Sequence, residues 1–313
     1  MIKNNLMGRS ILSAYDLSRE ELWIVFDVAM HMKKRYYSGE RRIDLLKGKT
    51  LGLVFQKHST RTRVSLELAM RQLGGDAIYM SWNELQLGRG ERVEDTARVL
   101  SRYLDGLALR VYSHEILHRM VSVSRVPIIN ALSDEEHPLQ AYTDFFTIYE
   151  VKGRLSGIKI AFIGDGSDNV LNSLIAVASL MGSRIVIATP PGYYPSKEIL
   201  EKAYRVSIDT GASIEITDDP SIAAKEADVI YTDTWVSMGR ETEKDKRIKE
   251  LEPYRVTTKL MSLARRDAIF MHCLPAHRGE EVEDEVIDGP QSIVWDQAEN
   301  RLHVQKAILS LIL

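Results

Sequence analysis

The sequence predicts an α/β protein of two doubly wound parallel-sheet domains joined by a bridging helix. Three observations lead there. Short strand-like apolar runs alternate with segments of helical spacing, the pattern of crossover units in a mainly parallel sheet. The alternation comes in two series with one long helical segment between them. The length of 313 residues suits two domains of ordinary size, each able to bury a core.

In chain order, "SREELWIVFDVAMHMKKRYYSG" (18–39) reads as a helix with Ser18 as N-cap, Glu20 and Glu21 in its first turn and Gly39 near its stop. Strand-like runs follow at 49–55, 76–80, 106–112 and 126–131, with helical patterns at 61–74 and 92–105 among them. The segment "PLQAYTDFFTIYEVKGRL" (138–155) is helical, breaks at Gly153 and is read as the bridge. The second series has strands at 159–165, 184–190, 213–219, 228–233 and 268–275, and "IVWDQ" (293–297) adds one more short strand. The tail after it has helical spacing and an apolar face that needs a surface to pack on. Ligands of such sheets bind beyond the carboxyl ends of the strands, so the residues just after each strand carry the functional reading.

Composition narrows the class of function. An apolar fraction of 44% with 27% charged residues fits a globular chain, and a net charge of −3 gives no general attraction to nucleic acid or membrane. Any anionic ligand must be held by a local cluster. Cys273 is the one cysteine, which excludes an intrachain disulfide and points to the cytoplasm. The N-terminal stretch lacks the apolar run of a secretory signal, and no stretch reaches the roughly 18–20 apolar residues of a membrane span.

The densest cluster is "HSTRTR" (58–63), between a strand and a helix. Ser59 or Thr60 can cap the helix, whose free N–H groups and positive dipole end attract an anion. Arg61 adds a planar fork suited to phosphate oxygens. Arg63 lies about 200° further round the helix and is assigned to a structural ion pair. The plain alternative is a well-capped surface helix. No P-loop occurs in the chain. "FIGDGSDNVLNSL" (162–174) is a second candidate anion loop, but its G-x-G-x-x-N lacks the third glycine of the dinucleotide fingerprint. "HPLQ" puts His137 and Gln140 three apart at a helix start, where they can donate to a carbonyl oxygen; a His before a proline is also an ordinary helix cap. His272, Cys273 and His277 match no zinc spacing, and a lone cytosolic cysteine is commonly an inert packer.

Taken together, "STRTR", "LALRVYSH", "HPLQ", "DTWVSMG", "HCLP" and "ENRLH" stand in the order seen in the aspartate/ornithine carbamoyltransferase family. The chain resembles that family over nearly its whole length, and "DTWVSMG", "HCLP" and the segment 85–105 resemble its ornithine branch. Two positions depart from the usual pattern: Gln56 replaces an acid, and Leu66 replaces a phenylalanine.

The resemblance implies a carbamoyltransferase that moves the carbamoyl group of carbamoyl phosphate to the δ-amine of L-ornithine, giving citrulline and phosphate, in arginine biosynthesis or in the reverse, catabolic direction. It implies a carbamoyl-phosphate domain at 1–149, an ornithine domain at 150–296, and a C-terminal helix (297–313) packing back on the first. Ser59, Thr60, Arg61 and Thr62 would grip the phosphate, with Gln86 reaching it from a neighbouring subunit of a homotrimer or an assembly of trimers. Arg110, His137, Gln140, Cys273, Leu274 and Arg301 would complete the carbamoyl-phosphate site. Asn169, Asp233, Ser237 and Met238 would hold ornithine. Arg110, His137, Cys273 and Thr62 would carry the catalysis, with no metal or organic cofactor, and the loop at 235–247 would close as a lid. The alternatives are another amine acceptor, such as putrescine or an acylated ornithine, and a nicotinamide-dependent oxidoreductase.

Overall fold

The computed structural model describes residues 6–236 and 241–313, which divide into two units. One holds the chain up to Tyr142 together with Glu299–Leu313; the other is Thr143–Ala298.

The first unit opens with α1 (Arg19–Tyr37), closed by a capping box in which Ser18 Oγ accepts from Glu21 N–H and the Glu21 carboxylate accepts from Ser18 N–H. Its sheet has four parallel strands, β1 (Thr50–Phe55), β2 (Asp76–Ser81), β3 (Gly106–Arg110) and β4 (Ile128–Leu132), in the order β2-β1-β3-β4. Helices α2 (Thr60–Gln72), α3 (Val93–Leu100) and α4 (His114–Val121) connect them. β1 is buried from Leu51 to Phe55 without alternation, as expected of a central parallel strand. β2 lies at the edge and leaves Ile78 exposed. From β1 the chain steps first to one side and then to the other. Right-handed crossovers therefore put the helices on opposite faces and open a crevice between the carboxyl ends of β1 and β3. Those ends are Phe55 and Arg110, paired in register.

α5 (Pro138–Lys152) begins in the first unit and ends in the second, stopping at Gly153 with φ +69°. The second unit has five parallel strands, β5 (Lys159–Ile163), β6 (Arg184–Ala188), β7 (Ser213–Thr217), β8 (Val229–Thr232) and β9 (Ile269–His272), ordered β7-β6-β5-β8-β9. Among its helices are α6 (Asn169–Met181), α7 (Lys197–Thr210), α8 (Pro220–Ala224), α9 (Lys244–Leu251), α10 (Thr258–Met261) and α11 (Asp284–Ile287). Here the order reverses between β5 and β8, so the turns after Ile163 and Thr232 border the crevice. Its core includes Ile163, Val186, Ile230, Trp235 and Phe270.

One expected strand is absent. Beside β9 there is a single bridge at this point, Phe270 with Ser292, in which Phe270 N–H donates to Gln291 O at 2.8 Å and Ile293 N–H to Phe270 O at 3.1 Å. The chain then turns into α12 (Val294–Ile312), and Gln297 N–H bonds back to Ile293 O at 2.9 Å. A short apolar run is ambiguous between strand and buried helix, and here the i→i+4 bond prevails. The helix expected at 92–105 stops at Leu100. Among the described residues no helix is long and apolar enough to cross a membrane.

Candidate active site

In the first unit, Ser59 is extended (φ −153°, ψ 120°) and caps α2, its Oγ accepting from Thr62 N–H at 3.3 Å. Thr60, Arg61 and Thr62 therefore form the first turn, just past the carboxyl end of β1. Arg63 points elsewhere: its guanidinium sits 3.8 Å over the Tyr79 ring, with Nε 3.9 Å from Glu67. Gln56 ties the ends of β1 and β3 together. Its N–H donates to Arg110 O at 2.8 Å and its Oε1 accepts from Tyr112 N–H at 2.7 Å. An amide oxygen accepts as a carboxylate would, so glutamine makes this bond where the family pattern has an acid. Leu66, the other departure, is buried at 1% exposure on α2.

His137 precedes α5 in a turn built by Glu136. That buried carboxylate accepts from Ser13 Oγ at 2.6 Å and Ala14 N–H at 2.7 Å, while Asn130 Nδ2 donates to Glu136 O at 3.2 Å. Burial pushes the His137 imidazole well below its ordinary value, and the guanidiniums of Arg301, Arg110 and Arg61 push the same way. The ring is therefore neutral at pH 7. Arg301, on α12 and 3% exposed, donates to Gln140 Oε1 and, at 3.1 Å, to Thr62 Oγ1. α2, α5 and α12 thus meet at Thr62, Gln140 and Arg301. Gln86 stands apart, exposed on the single turn Gln86–Arg89.

The second unit gathers a different set. After β5 the chain makes a tight turn through Gly164 (φ +139°) and Gly166, where a Cβ would lie 2.3 Å from Tyr193 O. Asp165 and Asp168 lie in this turn and are buried, 1% and 2% exposed. Asp168 caps α6, accepting from Val170 N–H at 2.7 Å and Leu171 N–H at 3.1 Å, and Asn169 opens the helix. Asp233 follows β8 and is 6% exposed. Cys273 follows β9, half-buried and hydrogen-bonded to Asp233. Leu274, next to it, has φ +60° and donates its N–H to His272 Nδ1 at 2.8 Å.

Burial raises all three titratable groups here. It lifts Asp168 well above the carboxylate range, with Asp233 and Asp165 adding to the shift. It lifts Asp233 against the opposing pull of His272 and the Cys273 hydrogen bond. It lifts the Cys273 thiol well above its usual value, with Asp233 and Asp168 adding. Two buried carboxylates that repel each other are stabilised by a cation, so this crevice favours a positively charged ligand. Asp233, His272 and Cys273 lie close enough to hold a metal ion. However, His272 accepts Leu274 N–H at Nδ1 and meets Glu281 through Nε2 at 3.2 Å, which engages both ring nitrogens. Ser237 and Met238 lie outside the described residues.

Sequence reasoning did not find Glu136, Asp165, Arg247 or Glu281, and it weighed His272 only as a metal ligand. Arg247, 3% exposed, pairs with Asp165, donates to Trp235 O at 2.8 Å and lies 4.9 Å over the Tyr193 ring. It sits in the charged run 240–247, which looks like any solvated surface. Asp165 and Asp168 did carry a signal, as acids inside a glycine turn at a strand end.

Residues 9–150 match the description "Aspartate/ornithine carbamoyltransferase, carbamoyl-P binding domain", and residues 156–312 match "Aspartate/ornithine carbamoyltransferase, Asp/Orn binding domain". The chain is 59% identical over 310 residues to an ornithine carbamoyltransferase of Staphylothermus marinus, covering 99% of each. A solved ornithine carbamoyltransferase of Pyrococcus furiosus superposes with a TM-score of 0.94 at 49% identity, over 98% of this chain and 97% of that one. The solved anabolic ornithine carbamoyltransferase of Campylobacter jejuni gives 0.90 at 44% identity, over 96% and 97%.

Proposed function

Since the chain belongs to the aspartate/ornithine carbamoyltransferase family, we propose that it transfers the carbamoyl group of carbamoyl phosphate to the δ-amine of L-ornithine, yielding citrulline and phosphate. The supporting observation is the neutral, buried His137 acted on by Arg61, Arg110 and Arg301 at the switch point of the first sheet. Three guanidiniums and a helix N-terminus suit a phosphate dianion. A neutral imidazole donates one N–H to the carbonyl oxygen without adding a fourth positive charge.

Attack by the amine places negative charge on that oxygen. Thr62, Arg110 and His137 are the donors for it, and loss of one such donor costs ~2.7–4 kcal/mol. Ser59, Thr60, Arg61, Gln140 and Arg301 hold the substrate and the departing phosphate, whose oxygen takes the proton shed by the amine. The Cys273 thiol, raised by burial, acts as a neutral donor to Asp233 rather than as a nucleophile. The same buried acids distinguish ornithine from aspartate, because Asp233 pairs with the α-ammonium whereas a dianionic acceptor meets repulsion. Asn169, at the N-terminus of α6, suits the α-carboxylate, with Ser237 and Met238 beside it. The relatives named anabolic support the synthetic direction.

We further propose that residues 1–149 with 297–313 take carbamoyl phosphate and 150–296 take ornithine, in the cytoplasm. Exposed Val64, Leu68 and Ile78 and the isolated Gln86 support a homotrimer, or an assembly of trimers, in which Gln86 serves a neighbouring site. The test follows citrulline formation by wild type and Asp233→Asn. The variant is expected to raise KM for ornithine about 10–100-fold, the worth of a charge-assisted bond, and to spare KM for carbamoyl phosphate. No citrulline from the wild type, or equal loss on both substrates, refutes the assignment.

A further inference from the structure

We propose that His277, Glu280 and Glu281 bind a divalent transition-metal ion of the zinc class. These residues lie in the turn between β9 and α11, where Glu280 N–H donates to His277 O at 2.9 Å and Gly279 N–H to Val282 O at 2.9 Å. The turn brings one ligand atom from each residue to within 4.8 Å of the others, and His277 Nδ1 lies 3.6 Å from Glu281 Oε2. A tetrahedral zinc ion with ligands at ~2.0–2.2 Å sets its donors about 3.4 Å apart, close to that spacing.

The second observation is the state of Glu281. Its side chain is fully buried. Oε1 accepts from His277 N–H at 2.5 Å and meets His272 Nε2 at 3.2 Å, whereas Oε2 is buried with no hydrogen-bond donor. A buried carboxylate oxygen left in that state is costly, and a cation on it removes the cost. One imidazole with two carboxylates is a zinc-type donor set; magnesium and calcium require more oxygens. The His277 side chain is half-exposed, which gives the ion a route in and leaves room for water ligands. His272 holds the other Glu281 oxygen and also binds Leu274 N–H, so the ion sits one hydrogen-bond chain away from the segment that carries Cys273.

Metal-free protein is titrated with Co2+ alone, read by its visible absorption, and with Zn2+ alone, read by calorimetry. One ion per chain is expected. His277→Ala and Glu280→Gln, both at accessible positions, are each expected to weaken binding at least ~10-fold. Cys273→Ser is expected to leave it within about twofold, since the thiol is not a ligand. Absence of saturable binding, or binding that survives both substitutions at 277 and 280 but is lost in Cys273→Ser, overturns the proposal.

Discussion

At His137 the electrostatics favour a neutral ring, so in the proposed anion site this residue adds no charge. Burial alone drives its imidazole toward the neutral form, and the guanidiniums of Arg301, Arg110 and Arg61, proposed to bind phosphate, reinforce the shift. Arg61 differs from Arg301 in setting. It stands partly exposed in the first turn of α2, while Arg301 is locked by Thr62 and Gln140. Arg61→Lys keeps the charge and loses the fork. It is expected to cut kcat/KM for carbamoyl phosphate about 10–100-fold with little change in Tm, measured by initial rates and thermal melts. Unchanged kinetics would remove Arg61 from the anchor.

Both candidate sites, one in each unit, use one kind of element, a strand running into a helix at the point where the sheet order reverses. The β1–α2 turn presents hydroxyls and arginine; the β5–α6 turn presents glycines and aspartates. The second turn is held by Arg247 of α9, through Asp165 and the Trp235 carbonyl. Arg247→Met leaves a buried carboxylate unpaired, which costs roughly 3–5 kcal/mol. A lower Tm and a raised KM for ornithine are expected, and the double variant Arg247→Met/Asp165→Asn should recover much of the Tm. Failure of the double variant to recover stability would show that packing of Arg247 against Tyr193 matters more than the charge pair.

These elements also mark how far the sequence could be read. The alternation of strand and helix and the turns after β1, β5, β8 and β9 were legible, because each depends on neighbouring residues. The strand read at 293–297 was not, since a five-residue apolar run carries no period that separates strand from helix. Glu136 with Ser13, Asp165 with Arg247, and Glu281 with His272 were hidden for another reason. Each partnership depends on residues brought together by the fold, and the local sequence around each looks like ordinary turn or surface.

For the whole molecule, buried histidines set the acid limit. Burial and Lys306 hold His303 of α12 down at about 4, and His137 is depressed likewise. Both folded values lie below the unfolded ~6.5, so the unfolded chain takes up protons first as pH falls. The stability from His303 is complete above about pH 6.5 and is lost between there and about 4, roughly 3 kcal/mol at most, and His137 acts in the same direction. Asp168 and Asp233, raised in the folded state, act with the opposite sign. Melts across this window are expected to show a shallower acid dependence in His303→Gln than in wild type; identical slopes would contradict the assignment. Function at this scale reduces to the choice of amine. The most direct measurement is kcat/KM at saturating carbamoyl phosphate for L-ornithine, putrescine and L-aspartate side by side. A preference for L-ornithine of at least ~100-fold is expected, about 2.7 kcal/mol for recognising the α-carboxylate and rejecting the dianion. Equal or faster carbamoylation of putrescine or aspartate would contradict it.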